Sequence, residues 1–217
     1  MDILELMEQR HSVRQYKSQK IEQEKRAVLD SLAAECCKES GLDIQIVYDE
    51  PKCFGALLAK VTRFRGCENY IVIAGKQDDL SAEEKAGYYG EMIVLKAQEL
   101  GLNTCWVGLT HGKVLAELPS GEKRIIIIAL GYGENAGVSR KSKTLSEVSD
   151  VTEDLPEWYE KGIRAALLAP TAVNQQKFRF TLNGEYASVE AGRGSYTQVD
   201  LGIVKYHFEA ASGHKLE

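Results

Sequence analysis

Six consecutive residues, Ile125-Ile126-Ile127-Ile128-Ala129-Leu130, are apolar without interruption. A membrane helix needs about 20 such residues, so this run cannot cross a bilayer. It shows no alternation, and so offers no face to water. Such a run predicts a strand buried on both sides, placed centrally in a sheet. Tyr70 to Ala74 is a second fully apolar strand, Asp43 to Ile46 alternates as a half-buried one, and Thr104 to Val107 is a short one. Phe178–Leu182 and Glu185–Val189 read as a hairpin around Asn183-Gly184, the strongest short hairpin signal.

Helices are interleaved with these strands. Asp2 and Glu5 have capping-box spacing ahead of Ile3, Leu6 and Met7, and this first helix should stop near His11. Glu22 to Cys37 repeats Val28, Leu32 and Cys36 every four residues, with Gly41 placed to end it. Ser81 and Glu84 open a long helix that runs to Leu100 before Gly101. Two more are expected from about Pro156 to Leu168 and from Gln198 to Ala211, the latter closed by Gly213. The hairpin forbids a wholly parallel sheet, so the pattern predicts an α+β sandwich with a mixed or antiparallel sheet under helices. Residues 1–217 are expected to form one domain, with Leu145 to Leu155 as a candidate internal linker.

Charge narrows the function. Lys+Arg number 27 against 32 Asp+Glu, a formal net charge of −5, which argues against a general nucleic-acid binder. The opening MDILELMEQR carries neither a basic n-region nor an apolar h-region, so a cytoplasmic chain without a signal peptide or membrane partner is expected. Five cysteines in no repeated spacing and four scattered histidines predict reduced thiols and no metal site. Of the vicinal pair Cys36-Cys37, one should lie on the buried face of its helix.

Three segments stand out. Arg10-His11-Ser12-Val13-Arg14 gathers two guanidiniums, an imidazole and a hydroxyl, a donor-rich set suited to a phosphate, although surface ion pairing would explain it equally. Arg140-Lys141-Ser142-Lys143 is a second basic patch, which alone reads as a solvated loop. Two such patches on an acidic chain favour a discrete anion over a polymer. Between a helix and a strand, Pro170, Thr171, Asn174 and Gln176 offer neutral hydrogen-bonding groups suited to orienting a heterocycle or sugar chain, or to closing a turn. Gly131-Tyr132-Gly133 begins like a dinucleotide fingerprint, but Ala136 stands where the third glycine belongs. No nucleophile elbow or P-loop occurs.

Taken together, the segments resemble the nitroreductase family of FMN-dependent oxidoreductases. EQRHSVRQY is similar to the family's R-R-S-x-R, GEMIVLKAQELGLNTCWVG to its central helix and L-G-L-G-T-C-W-x-G strand, and ALGYG…RKSKTLSEV to its strand and basic loop. AALLAPTAVNQQKF is similar to A-R-L-A-P-S-A-x-N-x-Q-P-W, and DLGIVKYHFEAA to a D-x-G-I-A-x-x-H-F-E helix of one branch. The A-P-T segment begins at Ala169 rather than near the N-terminus, a placement that resembles a rearranged subgroup. Thr171 replaces serine, Lys177-Phe178 replaces Pro-Trp, and Thr144 replaces a proline.

The resemblance implies a three-layer α/β/α sandwich with a mixed, largely antiparallel sheet, and a homodimer with FMN at its interface. It also implies NAD(P)H as reductant, a small acceptor such as a nitroaromatic or quinone, and ping-pong turnover. Arg10, His11 and Ser12 would hold the phosphate and ribityl chain, and Arg14 the pyrimidine side of the flavin. Backbone groups of Trp106, Val107, Gly108 and Leu109 would face N5 and O4. Pro170, Thr171, Asn174 and Gln176 would line the ring and ribityl chain, and one of Arg140, Lys141 and Lys143 would reach the phosphate. No catalytic side chain is implied, because the flavin carries the chemistry. The rival expectations are a non-enzymatic FMN store or sensor and, from another class, an interaction domain without cofactor.

Overall fold

The computed structural model describes residues 2–55 and 63–217. The elements of the first half are α1 (Ile3–Gln9), α2 (Gln23–Ser40), β1 (Asp43–Val47), α3 (Lys52–Gly55), β2 (Asn69–Lys76) and α4 (Ala82–Glu99). Those of the second half are β3 (Asn103–Val107), β4 (Glu122–Gly131), α5 (Leu145–Val148), α6 (Glu157–Ala166), β5 (Phe178–Asn183), β6 (Tyr186–Ala191) and α7 (Thr197–Ser212). The class is α+β. Contacts divide the chain into two compact units, Gln9–Ala82 with Ile93–Ser139, and Met1–Glu8 with Glu83–Met92 and Arg140–Glu217. The candidate linker at 145–155 therefore lies inside one unit, where α5 forms.

The first unit is built on a four-stranded sheet in the order β1-β2-β4-β3. The isoleucine run forms the heart of β4, which pairs with β2 on one side and β3 on the other. With both faces covered and both edges hydrogen-bonded, no polar residue is tolerated there. Every ladder among the described residues is antiparallel, one of the two arrangements expected, and parallel pairing is confined to isolated bridges such as Ser12–Thr104. On α2 the buried residues are Leu29, Ala33, Cys36 and Ser40, while Val28 is 43% exposed. The physical reason is helical drift. A strict four-residue repeat advances about 40° per step, whereas the 4-3-4 spacing of the observed stripe stays on one face. Cys36 is buried as expected, and the sulfur of Cys37 accepts the Ile44 N–H at 3.2 Å.

The second unit packs α6, α7 and the β5–β6 hairpin around Tyr159, Phe178, Phe180 and Phe208. The hairpin pairs Asn183 with Tyr186, so its turn is Gly184-Glu185, one residue later than the sequence signal suggested. Gly184 takes the positive φ of 64° that glycine adopts without strain. His207 is fully buried between the Ala165 carbonyl at Nδ1 and the Glu91 carboxyl group at Nε2, each at 2.9 Å. A carbonyl only accepts, so Nδ1 carries a proton and the imidazole bridges α6 and α4 from its place on α7.

Helix α4 starts where expected, with Ser81 in the N-cap position, but without the capping bond. The serine's backbone N–H and hydroxyl both bond Asp79 Oδ1, at 2.8 and 2.6 Å. At α5 the Thr144 N–H instead donates to the Glu147 carboxylate at 2.8 Å.

Candidate functional site

The basic segment after α1 is strapped along the sheet's β3 edge. Ser12 bridges Thr104, and the Val13 N–H donates to the Thr104 carbonyl at 3.0 Å. Val13 and Tyr16 anchor it from below in a core shared with Cys53, Tyr70, Cys105 and Ile127. The Tyr16 hydroxyl donates to the Val13 carbonyl at 2.7 Å and fixes the turn between them. The structure therefore brings Arg10–Arg14 alongside the strand that leads into Trp106–Leu109. Arg10 is only 3% exposed, His11 and Ser12 are half-buried, and Arg14 is exposed. Gly137 explains the fit of the neighbouring loop. Its φ is +75°, and a Cβ there would sit 2.6 Å from His11 Cβ.

Trp106 is half-buried, Val107 buried, Gly108 half-buried and Leu109 exposed, at the point where β3 gives way to an irregular loop. Cys105 lies beneath the basic segment. Burial pushes its thiol up, against the opposing pull of Arg14, a hydrogen bond with Ser12, and Arg10. Burial likewise pushes Cys36, Cys53 and Cys67 up to about 12. Burial thus favours the thiol over the thiolate at each of these cysteines.

The remaining site residues fall in the other unit, where two segments interlock. Arg140 is turned onto the C-terminal end of α6, donating to the carbonyls of Leu167 at 3.0 Å, Leu168 at 3.3 Å and Ala169. A guanidinium there satisfies acceptors that a helix end leaves open. The Lys143 ammonium donates to the Gln176 carbonyl at 2.7 Å, and its backbone N–H to Gln176 Oε1 at 2.9 Å. The Lys141 side chain makes no hydrogen bond among the described residues and is exposed. Its carbonyl accepts from both Asn174 Nδ2 at 2.9 Å and Gln176 Nε2 at 3.1 Å.

Pro170 and Gln176 are buried, and Thr171 and Asn174 half-buried. Between them Ala172–Asn174 makes a single 3-10 turn, with Val173, Asn174 and Gln176 all at positive φ (47°, 57° and 45°). For a β-branched valine that region is costly, and strain of this kind persists only where surroundings over-determine it. Several ties do so. The Thr171 hydroxyl oxygen accepts the Gln176 N–H at 3.0 Å, and the amides of Asn174 and Gln176 tie to the 141–143 loop. Asp200, which was not among the expected site residues, and Lys177, noted as a departure from the family pattern, add further ties. The Asp200 carboxylate on α7 accepts from the Ala172 N–H at 2.9 Å and from Gln175 Nε2 at 2.7 Å. Lys177 donates to the Arg193 carbonyl at 2.9 Å.

Chemically, one unit offers a buried and an exposed guanidinium with a hydroxyl between them. The other offers an exposed ammonium beside a rigid neutral loop. The first set suits a phosphate, and the second an anion beside a polar heterocycle. Among the described residues no helix is long and apolar enough to cross a membrane.

The family model described as "Putative TM nitroreductase" matches residues 2–212, and the chain belongs to that nitroreductase family. Solved structures share the fold. A nitroreductase described as putative from Thermotoga maritima superposes with a TM-score of 0.71 at 23% identity, covering 97% of this chain and 83% of its own. Another from Desulfovibrio desulfuricans, described as in complex with FMN, gives 0.55 at 19% identity, covering 71% and 98%. A nitroreductase family protein from Clostridium difficile gives 0.53 at 20% identity, covering 72% and 100%. No curated protein matches the chain in sequence.

Proposed function

We propose that this protein is an FMN-dependent oxidoreductase that takes electrons from NAD(P)H and passes them to a small acceptor such as a nitroaromatic or quinone. The observation that carries the reading is family membership over residues 2–212. The donor sets support it, as does the description of the Desulfovibrio relative as an FMN complex. When bound, FMN supplies the two-electron redox chemistry and permits a ping-pong cycle. Arg10, His11 and Ser12 hold the phosphate and ribityl chain. Arg14 would supply a positive charge toward the pyrimidine side, where a cation favours a flavin's reduced form. Backbone amides between Trp106 and Leu109 donate toward N5 and O4. Pro170, Thr171, Asn174 and Gln176 shape the ring and ribityl walls.

Of the three basic candidates for the phosphate, Lys141 is the one left for it, since Arg140 and Lys143 are engaged within their own unit. The working form in this reading is a cytoplasmic homodimer with FMN at the interface, binding neither nucleic acid nor membrane.

The test is the visible spectrum after FMN loading and desalting, recorded before and after anaerobic NADH or NADPH. A retained flavin band that bleaches quickly is expected. A retained band that neither reductant bleaches would point to storage or sensing, and no retained band would end the flavin reading.

A further inference from the structure

Resting on the flavin reading, we propose that Asp200 is a positioning residue, whose carboxylate holds the 170–176 loop in the one conformation that can accept the cofactor. The bonds within the loop, such as the Gln176 N–H to the Thr171 hydroxyl oxygen, leave its middle unpacked. Three non-glycine residues sit at positive φ within it, and Val173 is 98% exposed, so no packing fixes that residue. Backbone held there is strained for a residue with a side chain, so it persists only where other groups fix it. On one side the loop is tied to segment 141–143. On the other, Asp200 on α7 accepts two hydrogen bonds, and the Ser195 carbonyl just ahead of that helix accepts one from Gln175.

The two carboxylate oxygens divide the work. Oδ1 takes a backbone N–H at the start of the 3-10 turn, and Oδ2 takes the Gln175 side chain at its end. The turn is thus gripped at both ends by one rigid group on a helix. Gln175 passes the hold onward, its Nε2 also donating to the Ser195 carbonyl at 2.9 Å. Asp200 is only 5% exposed, and Val199, Leu201, Gly202 and Ile203 around it are buried too. A carboxylate in such surroundings is costly to keep. Burial pushes Asp200 up to about 6, with Gln175 and the Ala172 N–H pulling the other way. The geometry of the loop is what the carboxylate supplies in return for that cost.

Asp200→Asn tests this with the same shape. The new amide can accept from the Ala172 N–H only by turning its own NH2 against Gln175 Nε2, donor against donor. Apparent affinity scales with the fraction of protein already in the binding conformation, so a fall in that fraction to about a tenth weakens FMN about tenfold. Two readouts are made on wild type, D200N and Q175A. One is the FMN dissociation constant from quenching of flavin fluorescence. The other is amide hydrogen exchange across 170–176 in flavin-free protein. We expect D200N to bind FMN about tenfold more weakly and to exchange faster in the loop. The β5–β6 hairpin should be unchanged and the melting temperature at pH 8 no lower. Q175A should follow in the same direction with a smaller effect, and it carries the test should D200N fail to fold.

Wild-type affinity in D200N, or unchanged loop exchange, overturns the proposal. Faster loop exchange with unaltered FMN affinity also overturns it, by separating the loop from the cofactor. Failure of the wild type itself to bind FMN removes the flavin reading and the cofactor clause together. The exchange contrast would then still decide whether Asp200 holds the loop.

Discussion

Arg140 and Lys141 are adjacent cations with opposite employment. The guanidinium of Arg140 closes α6 by donating to the carbonyls of Leu167, Leu168 and Ala169, while the ammonium of Lys141 stands in solvent. Arg140→Ala should therefore lower stability by about 2 kcal/mol, the usual worth of hydrogen bonds to a charged group, read as a shift in the urea midpoint. Lys141→Ala should leave that midpoint in place and weaken FMN about fivefold, as losing one exposed charge-assisted phosphate contact does. Unchanged flavin affinity in K141A would exclude it from the phosphate. The positive charge of this loop is legible in its sequence, but the ranking of its members is not. Which cation is free depends on where the carbonyls ending α6 lie, and those are brought to Arg140 by the fold across 27–29 residues. Asp200 was missed for a related reason. Its signal is one acid inside the run Val199-Asp200-Leu201-Gly202-Ile203-Val204, which periodicity alone assigns to a helix without giving the acid a task.

At the level of elements, the contact of α4 with α7 turns on two glycines. A Cβ on Gly202 would lie 1.9 Å from the Glu84 carbonyl oxygen and 2.7 Å from the Tyr88 nitrogen, and one on Gly87 would lie 2.0 Å from the Val199 oxygen. These are backbone atoms, so nothing can swing aside and the helices must separate. Gly162 differs, because there the obstacle is the Phe208 ring, 2.4 Å away, which can turn. Gly202→Ala should cost more than about 3 kcal/mol, and Gly162→Ala roughly 1–3 kcal/mol. Chemical denaturation of the two variants checks the order, and a G202A protein as stable as wild type would contradict the close approach. The five longer helices were legible from their periods and stop signals, as were the strands of both sheets, whereas the four-residue α3 and α5 are too short to show a period. Contacts of glycine backbones carry no hydrophobic signal and were not legible. The Ser81–Glu84 spacing placed the start of α4 but not its capping bond, because Asp79, two residues earlier, competes for the serine.

Across the whole molecule the antiparallel sheet followed from a few apolar runs, whereas the division into two units did not. Helix α4 reads as one uninterrupted period, yet its Glu83–Met92 stretch packs with one unit and Ile93 onward with the other. Stability of the whole chain should nevertheless report one buried group of the second unit. Asp200 titrates near 6 in the folded state against 3.8 ordinarily, chiefly because burial disfavours its charge. The folded chain therefore holds this proton at a pH where the unfolded chain has released it. Its contribution to stability is fully present below pH 4, declines as pH rises through the window from 4 to 6, and is lost above. The amplitude is at most about 3 kcal/mol. Surface carboxylates such as Glu22, Glu99 and Glu147, held low by hydrogen bonds, act in the opposite sense as the medium becomes acidic. The informative quantity is thus the difference in unfolding free energy between wild type and D200N, measured by urea at intervals from pH 4 to 8. The surface terms cancel in that difference. It should fall as pH rises to about 6 and then level, and a difference that stays flat would mean that Asp200 is not buried as a carboxylate at all.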